Sequence, residues 1–123
     1  MTIALWCILA MSLLPILCAG IAKQGAAVDN AAPRLAMEHF SGWRRRVDWA
    51  QRNHQEALPP FIAAVIVAHI THAPQGWADG LAVAFVLIRI AYTAAYALDR
   101  PSLRSAIWTL GFACVLGLFA ISA

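Results

Sequence analysis

Residues 77–98 read WADGLAVAFVLIRIAYTAAYAL, an apolar run whose only charged members are Asp79 and Arg89. About 20 apolar residues in a helix cross the hydrocarbon core of a bilayer. The run therefore reads as a membrane-spanning helix with a cation near its middle. A central arginine costs about 2.5–3.5 kcal/mol on insertion scales, so it belongs on the inner face of a bundle, against a carboxylate or water. Leu98 lies some nine residues on, about 14 Å at 1.5 Å per residue, too far for Arg89 to snorkel out. Tyr92 and Tyr96 follow Arg89 at spacings of three and four, which places all three on one helical face.

Working outward, the rest of the chain fits the same solvent. It has 123 residues, 62% hydrophobic and 12% charged. A soluble domain carries about twice that charged fraction. The length allows a single domain, 1–123, expected to be an all-α membrane protein: a four-transmembrane-helix bundle with spans near 3–22, 46–73, 77–98 and 103–123. The segment from Lys23 to about Phe40 is polar and reads as a loop. Ser41 is a plausible N-cap for the second long helix, whose first half is polar and whose second half, from Ala57, is apolar. Pro59-Pro60 sits at that junction, where a bend is expected. Ala73-Pro74-Gln75-Gly76 and Asp99-Arg100-Pro101 read as turns, and Ser102 as a cap for the last helix.

The net charge of +3 marks topology rather than nucleic-acid binding. Lys23, Arg34, Arg44, Arg45 and Arg46 lie in or next to the first connection, and Arg100 and Arg104 at the third. The second connection has no Lys or Arg. The positive-inside rule makes connections one and three cytoplasmic and both termini periplasmic. Met1-Thr2-Ile3 lacks the basic residues of a signal peptide, so the first apolar run is read as a retained helix. Short loops fit a bacterial inner membrane. Cys7, Cys18 and Cys114 sit in apolar stretches and read as core. His69 and His72, spaced by three, have no acidic third ligand near them, and His39 and His54 stand apart; no metal site is expected. Trp43, Trp49 and Trp77 read as interfacial. Gly111 and Gly117, with Ala113 between them, offer small residues for close helix contact, including contact between subunits.

The second helix carries Arg52, Asn53 and Glu56. Arg52 and Glu56 form an i,i+4 pair, of little worth if merely solvated. They approach the same bilayer edge as Tyr96 and Arg104, so polar groups from three helices converge at one depth. That is a site pattern.

The run Arg52-Asn53-His54-Gln55-Glu56-Ala57-Leu58-Pro59-Pro60-Phe61 resembles the RNxxExxxPF stretch of the MAPEG family, the membrane-associated proteins in eicosanoid and glutathione metabolism. Arg89 to Tyr96, followed by Arg104-Ser105, resembles that family's third helix and the start of its fourth. The resemblance covers nearly the whole chain. It implies a homotrimer that binds glutathione between subunits, near the cytoplasmic side, and a lipophilic substrate taken from membrane lipid. Arg52, Asn53 and Glu56 would hold the tripeptide, and Arg89, Tyr92 and Tyr96 would complete the pocket. Arg104 would sit near the sulfur, where a cation favours the thiolate. Ser105 matches a serine proposed to help activate the thiol in one branch, and is equally well read as a first-turn helix residue. Trp108 stands where some members have a tyrosine; an indole donates but cannot accept or ionise in that role, so eicosanoid chemistry is not implied. The resemblance implies transfer of glutathione to an electrophile or reduction of a lipid hydroperoxide. The alternative is a non-catalytic scaffold of the same fold that binds a lipid or small ligand.

Overall fold

The computed structural model describes residues 1–123 as four long helices and a short one: α1 (Ile3–Lys23), α2 (Pro33–Glu38), α3 (Gly42–Ile70), α4 (Gln75–Ala97) and α5 (Pro101–Ala120). Helix α2 lies in the segment expected to be a loop. Its start is marked by Pro33 at the first helical position, where the missing N–H costs nothing. Ser41 does occupy the N-cap position of α3, but its side chain makes no capping bond. Ser102 does not cap α5. Arg100 holds that position and Pro101 opens the helix. Asp99 makes the turn possible by adopting φ 57°, a left-handed conformation that short polar side chains tolerate. Helix α3 runs on through Pro59 and Pro60 without ending.

Three helices, α1, α4 and α5, are long and apolar enough to cross a membrane by length and composition. Helix α3 is not among them, because its N-terminal half carries Arg44, Arg45, Arg46, Asp48, Arg52 and Glu56. At 29 residues it is nonetheless about 43 Å long at 1.5 Å per residue, longer than the hydrocarbon core is thick. It packs along α1 on one side and α4 on the other.

Close approach in the bundle comes from small residues. Ala4, Ala64, Ala68, Ala78 and Ala82 are all buried between helices. Phe61 of α3 stacks on Phe85 of α4, with ring centroids 4.2 Å apart, and fills the middle of the core. Gly111 and Gly117 face α4 of the same chain. A Cβ at Gly117 would stand 3.3 Å from Leu81 Cδ1, and one at Gly111 would stand 3.4 Å from Ile88 Cγ2. Their smallness serves the α4–α5 contact within one chain, while Ala113 is exposed.

Two ends of the bundle are tied by polar bonds. At one end, Asp79 Oδ1 accepts from the Ala4 backbone N–H at 2.7 Å and from Gln75 Nε2 at 2.7 Å, so an α4 carboxylate caps the open N-terminus of α1. At the other end, each member of the arginine triplet reaches the C-terminus of a different helix. Arg44 Nη2 donates to the Gln24 carbonyl at the end of α1, at 2.8 Å. Arg45 donates to the Glu38 carbonyl at the end of α2. Arg46 donates through Nε (3.2 Å) and Nη2 (3.0 Å) to the Ala97 carbonyl at the end of α4. Helix C-termini leave carbonyls without intrahelical donors and carry partial negative charge, and guanidinium groups answer both needs. The triplet is therefore a structural clamp.

Candidate functional site

Arg89 is the centre of the site. It is 2% exposed, and no carboxylate lies within ion-pair distance of it; the only side-chain salt bridge in the chain is Arg52–Asp48, at 3.1 Å. Its partners are neutral groups of α3. Nε donates to His54 Nδ1 at 3.0 Å, and Nη2 lies 2.8 Å from the same nitrogen and donates to Asn53 Oδ1 at 2.7 Å. The Tyr92 ring covers the guanidinium, with its centroid 4.3 Å from Cζ. In place of the carboxylate or water expected opposite it, Arg89 meets an imidazole and an amide, with an aromatic face beside them.

Asn53 passes the order on. With its oxygen held by Arg89, its Nδ2 donates to Glu56 Oε2 at 3.0 Å. Glu56 is paired in this way and not with Arg52, which turns back to Asp48, one helical turn earlier. Asp48 is 2% exposed. A buried carboxylate holds a guanidinium more firmly than the exposed Glu56 can. The i,i+4 pairing read from the sequence therefore forms in the opposite direction along α3.

Two cavities meet at Asn53 and Glu56. The first, about 200 Å³, lies between α3, α4 and α5; Arg89 lines its polar end, and Trp108, Phe112 and Val115 line its apolar end. Trp108 and Phe112 stack with centroids 5.5 Å apart, which makes one flat aromatic wall. The second, about 450 Å³, is a cleft edged by Trp49, Arg52, Tyr92 and Tyr96. Tyr96 stands edge-on to Tyr92, with centroids 5.5 Å apart, and packs against Trp49. The Arg104 guanidinium covers the Tyr96 ring, 4.6 Å from its centroid. Cation–π contact fixes the position of such a charge without neutralising it.

The structure thus brings Asn53, Glu56, Arg89, Tyr92 and Tyr96 to the walls of two adjoining cavities, with Arg104 above Tyr96 at the rim. Arg52 shares the cleft but is already paired. Ser105 is exposed, and its hydroxyl donates to the Pro101 carbonyl at 3.0 Å, the ordinary bond of a first-turn serine. Sequence reasoning missed two partners. Asp48 was not singled out, and His54 was grouped with the scattered histidines although it is fully buried against Arg89. Trp49, read as interfacial, is a wall of the cleft.

The donor set suits an anionic ligand that also carries an ammonium. Arg89 Nη1 has no hydrogen-bond partner in the chain, while Nε and Nη2 are engaged. A buried cation with one nitrogen, Nη1, free on a cavity calls for an acceptor, and a carboxylate makes the strongest charge-assisted bond to it. Glu56 and the tyrosine hydroxyls supply acceptors beside it.

The family model described as "MAPEG family" matches residues 3–123, essentially the whole chain. No curated protein matches it.

Proposed function

Since this chain belongs to the MAPEG family, we propose that it is a glutathione-dependent integral membrane enzyme, one that transfers glutathione to a lipophilic electrophile or reduces a lipid hydroperoxide. The observation that carries this reading is the uncompensated buried Arg89 at the junction of a polar cleft and an aromatic cavity. A buried arginine without a carboxylate partner is costly, and a ligand carboxylate on Nη1 would offset that cost.

Glutathione, the co-substrate, supplies the thiol that attacks or reduces. The residues of this chain bind and orient it. Arg89 Nη1 takes a carboxylate, and Glu56 takes the ammonium. Tyr92, Tyr96 and Trp49 form the walls that exclude water. Arg52, held by Asp48, presents its remaining N–H groups to the cleft. Arg104 places a fixed positive charge at the rim, which lowers the cost of losing the thiol proton. The Trp108–Phe112 wall receives the lipophilic partner next to that thiol, so much of the rate comes from proximity.

In this reading α3 is the fourth span, with Asp48 and His54 of its polar half buried in the bundle and Arg52 and Glu56 exposed at the cleft. The arginine triplet, Lys23, Arg34, Arg100 and Arg104 all gather at one end of the bundle, which we assign to the cytoplasmic side of a cell membrane, with both termini opposite. A homotrimer would close the cleft with a neighbouring subunit.

Titration of the detergent-solubilised protein with glutathione tests the proposal, followed by calorimetry and by ultraviolet absorbance of the thiolate. Saturable binding with a thiolate signal supports an enzyme. Binding without that signal leaves a glutathione-binding protein, and no binding leaves a scaffold.

A further inference from the structure

We infer that His54 is a positioning residue that selects which nitrogen of the Arg89 guanidinium faces the ligand; this rests on the reading of the cavity as a glutathione site. His54 is fully buried, and its two ring nitrogens have different duties. Arginine has no acceptor, so His54 Nδ1 must accept from Arg89. The neutral ring then carries its proton on Nε2, which donates to Thr93 Oγ1 at 2.7 Å. The Thr93 hydroxyl in turn donates to the Arg89 carbonyl at 3.3 Å. The bonds form a closed circuit from the side chain of Arg89, through His54 and Thr93, to the backbone of Arg89. It ties α3 to α4 and admits one tautomer only.

The circuit has a directional result. His54 Nδ1 takes both Nε and Nη2, and Asn53 Oδ1 takes Nη2 again. The Nε/Nη2 edge is consumed on α3, and Nη1 is left for the cavity. The same contact orients the Asn53 amide and, through it, the Glu56 carboxylate. Without the Nδ1 lone pair only the Asn53 bond and the Tyr92 contact hold the guanidinium, and Nε loses its partner, so Nη1 is less firmly turned to the cavity. His54 itself does not line either cavity, so its effect passes through Arg89.

Two substitutions separate this role from packing. Asparagine places an acceptor near the position of Nδ1, whereas glutamine places its polar group near Nε2. In calorimetric titration with glutathione, His54→Gln should weaken binding about tenfold or more, the scale of one lost hydrogen bond to a charged group. His54→Asn should stay within about threefold of the original protein, since it keeps that bond. In turnover assays the loss in H54Q should appear in KM more than in kcat. Equal binding by both variants, weakened or not, would overturn the inference, because packing alone does not distinguish them. A second readout needs no glutathione. Ring ¹⁵N NMR of His54 in bilayers should show the Nε2–H tautomer. An Nδ1–H tautomer would overturn the positioning role even if glutathione binds. Absence of glutathione binding with the Nε2–H tautomer intact would instead count against the proposed function.

Discussion

Replacing Arg89 by methionine separates what the arginine does for the fold from what it does for the ligand. Methionine has a similar reach and needs no partner. The change leaves two acceptors, His54 Nδ1 and Asn53 Oδ1, without their donor, at about 1–3 kcal/mol each. It also removes a cation from the membrane interior, a relief of about 2.5–3.5 kcal/mol on insertion scales. The two effects largely offset, and a net loss of about 1 kcal/mol is expected, so Arg89→Met should insert and fold. Ligand binding has no such compensation. A charge-assisted bond from Nη1 to a carboxylate is about 1.5–3 kcal/mol, and its loss weakens binding by about ten- to a hundredfold. The assay pairs thermal unfolding in detergent with glutathione calorimetry on the same preparation. Failure of R89M to fold would show that Arg89 is a structural strut. A folded R89M with undiminished glutathione affinity would refute the assignment of Nη1 to the ligand.

Other outcomes are equally specific. Arg104→Ala should lower turnover by at least about tenfold while changing glutathione affinity little, because its charge acts on the thiol and not on the tripeptide; unchanged turnover would remove Arg104 from the chemistry. Arg46→Ala strips the Ala97 carbonyl of two N–H donors from one charged group and should destabilise by about 2 kcal/mol in chemical unfolding, with Arg46→Lys recovering only part. Gly117→Val places bulk against Leu81 and should destabilise by about 1–3 kcal/mol without changing glutathione affinity.

How much of this could be read beforehand depends on whether a feature lives on one helix or between helices. The shared face of Arg89, Tyr92 and Tyr96 was legible because helical periodicity alone fixes it. So was the inward burial of Arg89, which follows from the cost of a charge in hydrocarbon. Its partner was not. His54 sits one residue from Asn53 on α3, and only the rotation of α3 against α4 decides that both reach Arg89. Asp48 was passed over for the same reason, since burial beneath α1 and α2, not spacing, makes it a better partner for Arg52 than Glu56. The start of α2 at Pro33 was written in the sequence but outweighed by the polar composition around it. Helix α3 shows the limit of a window average, because its N-terminal half mixes the buried Val47, Asp48, Ala50 and His54 with the exposed Arg52, Gln55 and Glu56.

The arginine clamp has a consequence for how the chain is made. Arg44, Arg45 and Arg46 leave the ribosome after α1 and α2, so the first two ties can form as soon as they emerge. The third cannot, because Arg46 grips Ala97, which is synthesised much later. Until α4 is present, one arginine of the three lacks its carbonyl partner. The clamp is therefore complete only when the third long helix is in place.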